Sequence, residues 1–528
     1  MAAEGTVLGL SQSNLDIAIV SAAMLAVIVL YFRTNPLKHS RAFMWRRFIN
    51  WFPLGMSYAF LYMARYNLNV VKNALGSGMS KESFGIIFGV GTLVYGFSFL
   101  LNGPLVDKIG GKRGMLIATL GASLANILMG VLTYLILNGK YSGNMVIAFS
   151  TLYGINMFFQ SYGAVSIIKV KSYWFHVRER GVFGAIFGTL ISFGVYFAFD
   201  WGQAIADAGA LKPGHPLNGI QSLIRTVFAI DSGSQTKDAV WLVFFIPAII
   251  LIVWALIDAV LLKDTPSQAN FNDFDTHDAS SGEMHKNFTM LELLKRIFTS
   301  PVLLTVAAIE FTTGVIRNGV LQWYFIFSKE VPQTGAEFFH DNWGLLLCLS
   351  GIAGGFVVGW MSDGIFQSRR GPPAGIMNGA MLILTVTMAA ILFRSPIGVG
   401  ICAVLIAFAG IAVHAIMSGT ASADFGGRKA TATASGITDG FVYLGTGLQS
   451  ISLGYLTTKS WLFWPMFLIP FTILGMILAA RMWHAIPLAT KNYLANLEKF
   501  PKSNRVSPVT ERTSAVAEGT GTVAPELI

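Results

Sequence analysis

The chain has 528 residues, 54% of them hydrophobic and only 12% charged, and its mean hydropathy is +0.60. A soluble protein carries roughly 25% charged residues, so a cytosolic enzyme, a nucleic-acid-binding protein and a disordered scaffold are excluded. The composition is that of an all-α, polytopic protein in a lipid bilayer, and the net charge of +10 marks no nucleic acid, because the basic residues sit between apolar runs.

A bilayer core takes about 20 mostly apolar helical residues. Runs of that kind predict spans over 15–33, 48–70, 84–106, 115–137, 145–168, 182–206, 239–262, 302–328, 343–362, 373–393, 399–422, 430–456 and 460–483. The flank before the first holds Glu4 and Asp16 and no basic residue, which argues against a cleaved signal peptide. That run is expected to be an extra helix for packing or assembly, offering a surface to a partner. Twelve core spans remain, and a polar segment divides them into two sets of six. The expected layout is therefore 1–47 for the extra helix and a basic linker, 48–262 for a first six-helix half, 263–299 for a cytoplasmic loop, 300–483 for a second half and 484–528 for a disordered cytoplasmic tail.

Lys and Arg in the connections set the orientation. One alternating set, from Arg33 to the C-terminal end, holds 26 of them, and the other, which includes Lys72, Lys81 and Lys329, holds 9. The first set is expected to be cytoplasmic. The N-terminus then lies outside and the C-terminus inside, in a plasma membrane, with the bacterial inner membrane the expected case.

The two halves share landmarks. Gly103-Pro104-Leu105-Val106-Asp107 is followed by Lys112-Arg113, and Gly359-Trp360-Met361-Ser362-Asp363 by Arg369-Arg370. Arg65 and Arg317 each fall in the first span of a half. Features recurring at nearly one offset indicate duplication, a common ancestry of secondary transporters. The doubled turn resembles the hallmark of the major facilitator superfamily across the twelve core spans. Asp107, Arg113, Asp363 and Arg178 are assigned to a conformational latch at the cytoplasmic helix ends rather than to the substrate.

An arginine at a span centre costs about 2.5–3.5 kcal/mol on the insertion scale. Arg65 follows Arg47 by 18 residues and Arg317 follows Arg296 by 21, which places both roughly 27–32 Å along their helices. Arg65 has no acid in its own span, and Glu310 lies two turns from Arg317. Two unpaired guanidinium groups facing each other across a duplicated bundle make an anion site, since the planar fork suits phosphate or carboxylate.

The run from Tyr58 through Tyr62 and Arg65 to Asn67 resembles the first helix of the organophosphate:phosphate antiporters, the glycerol-3-phosphate and hexose-phosphate carriers. Arg317-Asn318-Gly319-Val320-Leu321-Gln322-Trp323, Tyr95-Gly96-Phe97-Ser98, Arg178-Glu179-Arg180-Gly181 and Tyr443-Leu444-Gly445 are similar to that family's pattern too. The resemblance implies exchange of an organic phosphate for inorganic phosphate by alternating access. It also implies that Arg65 and Arg317 grip the phosphate while Tyr58, Tyr62, Tyr95 and Tyr443 line the cavity. The chain departs from the family at Phe99, Ile191, Ala164, Cys348 and Tyr66, where polar or basic auxiliary groups are expected. A bulkier or less charged anion than glycerol-3-phosphate is the expectation that follows.

Glu310, Asp439 and His414 are candidate coupling residues, because intramembrane carboxylates are proton-relay candidates by default; Asp200 lies nearer a span end. They open a second reading, proton-coupled symport of an organic anion. A third is a transporter-like membrane sensor that binds an organophosphate and signals through a partner at the extra helix. Cys348 and Cys402 fall in apolar runs as small hydrophobes. The glycine-rich stretches precede no strand, so a nucleotide loop is not expected. No metal, cofactor or enzymatic constellation is expected either.

Overall fold

The computed structural model describes residues 12–176, 179–210, 217, 219–228, 237–274, 292, 295, 298–331, 336–367, 369–421 and 431–485. Within them the chain is helical throughout. The order is α1 Gln12–Arg33, α2 Arg41–Leu75, α3 Lys81–Ile109, α4 Gly111–Leu137, α5 Met145–Trp174 and α6 Arg180–Tyr196. A π-helical turn, Phe197–Trp201, leads to α7 Gly202–Ala210; α8 Gly219–Val227 and α9 Leu242–Leu261 follow. The remainder is α10 Pro301–Glu330, α11 Glu337–Asp341, α12 Trp343–Trp360, α13 Gly371–Ile391, α14 Pro396–His414, α15 Thr431–Lys459 and α16 Phe463–Arg481.

Local chemistry fixes many of these ends. Ser40, Ser80, Asn144, Ser300 and Ser395 each accept a backbone N–H three residues on, the usual side-chain cap of a helix start. Gly110, at φ +91°, makes the sharp break between α3 and α4 that a side chain would strain.

Eight helices among the described residues are long and apolar enough to cross a membrane: α1, α3, α4, α9, α12, α13, α14 and α16. The thirteen-run expectation also included α2, α5, α6, α10 and α15. α6 is a 17-residue stretch before its π-helical turn. The other four carry buried polar side chains, including Arg65, Gln160, Arg317 and Thr446, in place of apolar ones. A helix packed among other helices can hold such groups where a lipid-facing one cannot.

Contacts between early and late helices concentrate at one end of the bundle. Lys72 on α2 and Lys81 on α3 both pair with Glu330 at the end of α10, at 3.3 and 3.0 Å. Asn73 donates to the Phe325 carbonyl at 2.9 Å. Asp200, after α6, accepts the N–H groups of Gly344 and Leu345 at 2.8 and 2.9 Å, and so caps the N-terminus of α12. Between α3 and α15 the backbones touch at glycines: a Cβ on Gly96 would stand 2.9 Å from the Gly440 carbonyl. Farther along α3, a Cβ on Gly103 would meet no described residue within 4 Å.

At the opposite end one set of polar contacts joins elements within 31–264. Arg47 is 1% exposed and grips Glu179 through two bonds of 2.8 Å, with a third to the Trp174 carbonyl. Its Nε donates to Tyr31 of α1 at 3.0 Å, and the Tyr31 hydroxyl donates to the Met44 carbonyl. These bonds fasten α1 to α2. Asn50 exchanges two hydrogen bonds with the Lys263 backbone.

Candidate functional site

Arg65 sits midway along α2 with no exposed surface. Its Nη1 donates to the Tyr443 hydroxyl at 2.6 Å, its Nη2 to the Tyr95 hydroxyl at 3.0 Å and its Nε to Gln160 Oε1 at 3.0 Å. The guanidinium also lies over the rings of Tyr62, Tyr95 and Tyr443, at 4.6, 4.4 and 5.4 Å from their centroids. Such cation–π contacts strengthen where water is excluded. Tyr58 stacks edge-on against Tyr62, and Tyr95 lies 4.2 Å from Tyr443. The four tyrosines singled out in the sequence therefore gather around one arginine. That arginine is not unpaired, as the sequence reading had it: neutral acceptors hold it, and its charge is left uncompensated by those bonds.

Behind Arg65 runs a chain of buried amides that sequence reasoning missed. Gln160 donates to Asn156 at 3.1 Å, Asn126 donates to Asn156 at 3.1 Å, and Asn67 donates to Asn126 at 2.8 Å. Asn156 and Tyr153 also donate to the carbonyls of Ala64 and Arg65. The guanidinium is thus oriented from behind by a network whose members are themselves bonded. The one available signal was the four-residue spacing of Asn156 and Gln160 on a single helix face.

Arg317 occupies the matching place on α10 and is 7% exposed. Its Nε is buried without a hydrogen-bond partner among the described residues. Tyr62, Tyr66 and Tyr443 lie within electrostatic reach of it, and Tyr62 and Tyr443 also reach Arg65. Tyr66 bonds to Asn318, the neighbour of Arg317, at 3.0 Å. Gly410 on α14 backs Arg317 closely, since a Cβ there would lie 3.2 Å from the arginine Cβ. An N–H donor left unsatisfied in a buried place costs about 1–3 kcal/mol; an anion removes that cost.

Three further acids and a histidine are placed as follows. Glu310 Oε2 is 2.8 Å from His414 Nδ1, so Glu310 pairs with α14 rather than reaching along α10 to Arg317. Asp439 accepts from Ser418. Asp200 serves the helix cap described above and does not join them. Of the positions that depart from the organophosphate pattern, Phe99 packs on Tyr95 at 4.8 Å, Cys348 is fully buried and Tyr66 bonds to Asn318.

Of the four latch residues, the side chains of two are described. Asp107 accepts from Lys169 at 2.9 Å, and Arg113 is exposed. Arg178 and the side chain of Asp363 lie outside the described residues. A groove of about 730 Å³ between α3 and α5 is lined by apolar residues such as Val90, Val94 and Phe158, and none of the residues above lines it.

A family model described as Major Facilitator Superfamily matches residues 54–450, from α2 to α15. The chain belongs to the Major Facilitator Superfamily. It is a multi-pass membrane protein of a transporter family and not an enzyme. It is 24% identical over 441 residues to the "Glycerol-3-phosphate transporter" of Bacillus subtilis, covering 81% of this chain and 90% of that protein. It is 24% identical over 422 residues to the "Membrane sensor protein UhpC" of Escherichia coli, covering 79% and 87%. The fold resembles the crystal structure of a bacterial homologue of the human lysosomal transporter Spinster in an inward-facing, unoccupied conformation. The TM-score is 0.60 at 16% identity, over 89% of this chain and 100% of the other.

Proposed function

We propose that this superfamily member is a secondary transporter that exchanges a phosphorylated metabolite for inorganic phosphate by alternating access, with Arg65 and Arg317 as the anion ligands. The observation that carries the reading is the pair of buried guanidinium groups, one on α2 and one on α10. Carboxylates hold neither by a direct bond among the described residues, and Arg317 keeps a buried N–H unsatisfied. The Bacillus subtilis relative, a glycerol-3-phosphate transporter, supports the phosphate class. Tyr58, Tyr62, Tyr95 and Tyr443 wall the site, and the anion takes the place of the Tyr443 hydroxyl on Arg65 as the halves rearrange.

In this reading 48–262 and 300–483 are six-helix halves that rock about the arginines, joined by 263–299. The segment 1–47 adds a thirteenth span, and 484–528 is a cytoplasmic tail. The excess of Lys and Arg places the Asp107 end in the cytoplasm and the Lys72–Glu330 end outside. Closed contacts at the latter and open space at Gly103 then correspond to a cytoplasm-facing state. Asp107, Arg113, Arg178 and Asp363 belong to the closure of that cytoplasmic face. The membrane is a bacterial inner membrane.

The sensor named among the relatives keeps a second reading in play, in which the same site binds an organophosphate and α1 carries the signal to a partner. Equilibrium binding of labelled inorganic phosphate to the purified full chain tests the site in either case. Arg65→Lys and Arg317→Lys are each expected to weaken binding at least tenfold, because an ammonium cannot replace the two-pronged fork. Wild-type affinity in either variant contradicts the assignment. Flux through the chain alone in vesicles separates carrier from sensor.

A further inference from the structure

We infer that Glu310 and His414 together form a proton-binding site whose occupancy controls anion binding at Arg317. The inference rests on the anion reading of Arg317 given above and adds a second ligand, the proton, at a different place.

The geometry is that of an acid–base pair with one accessible member. Glu310, on α10, has no exposed surface, and its Oε2 meets His414 Nδ1 at 2.8 Å. Its other oxygen, Oε1, is buried with no hydrogen-bond partner among the described residues. The His414 side chain is 23% exposed and ends α14, where the helix widens into the π-helical turn Ala415–Ala421. Widened turns of this kind are frequent at functional sites. The partly exposed histidine can exchange a proton and share it with a carboxylate that has no exposed surface.

The charged groups that act on the pair are few. Arg317 lies seven residues along from Glu310, two turns away on the same face of α10, at roughly 10 Å along the axis. From α15 comes Asp439, held by Ser418. From α2, Tyr62 and Tyr66 face Arg317, as Tyr443 does from α15. Among the described residues, Arg317 and Asp439 are the charged or titratable groups within electrostatic reach of Glu310 and His414.

A carboxylate beside a neutral imidazole gives the pair a charge of −1. One added proton, wherever it resides between the two groups, brings the pair to zero; the proton belongs to the pair. At −1 the pair offsets the field of Arg317 and repels an arriving anion. At zero that field is available to the anion. Proton and anion therefore favour each other's binding, and the linkage is reciprocal: an anion on Arg317 draws a proton onto the pair. No bond to the anion itself is required of either residue. A bound anion and its proton then cross together in each direction of the exchange, so a pH difference across the membrane biases which way the anion moves.

The double variant Glu310→Gln, His414→Gln fixes the pair at zero charge, since an imidazole left in place could still take up a proton. Labelled inorganic phosphate is titrated against the purified full chain at pH 5.5 and pH 9, wild type beside variant. The variant corrects for the ionisation of phosphate itself. The affinity of wild type relative to variant is expected to be near one at pH 5.5 and to fall about tenfold at pH 9, in the usual range of such couplings. A ratio that does not change with pH overturns the proton site and leaves the arginine reading intact. Potentiometric titration without phosphate supplies the independent readout: wild type should take up one proton more than the double variant between pH 9 and pH 5.5. Equal uptake overturns the proposal whether or not phosphate binds. Absence of phosphate binding in a folded wild type, with the extra proton present, contradicts the anion reading instead.

Discussion

Arg65 and Arg317 look equivalent in the sequence and differ in their surroundings. Both declare themselves because a charge inside an apolar run is costly enough to need a reason. Their partners do not declare themselves: Tyr443, which holds Arg65, is 378 positions away, and no local pattern announces that bond. The amides behind Arg65 were likewise illegible, since Asn and Gln occur on many helix faces without forming a network. A third arginine reads wrongly from sequence alone. Arg47 counts as one of several cytoplasmic positive charges, yet it is buried against Glu179. Burial pushes the Glu179 carboxyl up, but the nearby His39 imidazole and the hydrogen bonds and charge of Arg47 outweigh it and bring the group down to about 2. The folded value lies below the ordinary 4.5, so the stabilisation is present above that pH and is lost as pH falls toward 2. Glu179→Gln leaves Arg47 buried without its counter-charge and is expected to cost about 3–5 kcal/mol. Chemical denaturation in detergent at neutral pH measures it, and the deficit relative to wild type should shrink as the medium is acidified below pH 4.5. A variant as stable as wild type at neutral pH contradicts the role given to the pair.

Helix ends show how the bundle is held in one arrangement. Sequence periodicity placed the long helices well, because length and apolarity are local properties, whereas the shorter α6 and its π-helical turn were not foreseen. Asp200 illustrates the limit. In the sequence it is an acid near the end of a span; in the fold it caps α12, a helix whose first residue is Trp343. A cap of this kind contributes about 0.5–2 kcal/mol, and here it acts between early and late helices at the end already closed by Lys72, Lys81 and Glu330. Asp200→Ala should therefore loosen that end without touching the arginines. Spin labels at Glu82 on α3 and Thr458 on α15, both exposed and at that end, are expected to show a longer-distance population in the variant than in wild type. Identical distance distributions contradict the closing role of Asp200.

For the whole molecule, composition and a duplicated plan were enough to read a multi-pass transporter-like fold, because the bilayer constrains every long helix in the same way. Substrate is harder to read, since the side chains around the arginines come from α2, α3, α5, α10 and α15 and mix tyrosines with the apolar Phe99, which packs on Tyr95 and Tyr443. That ring makes the surroundings of Arg65 less polar and sets the expectation of an anion with a bulkier body. The central claim, exchange of phosphate at two buried arginines, is tested most directly by counterflow. Proteoliposomes holding the full chain are loaded with inorganic phosphate, placed in labelled phosphate with no pH gradient, and sampled over time. Uptake that requires internal phosphate, and that falls at least tenfold in Arg65→Lys and Arg317→Lys, is the predicted result. Folded wild-type protein that accumulates no label from phosphate-loaded vesicles would contradict it.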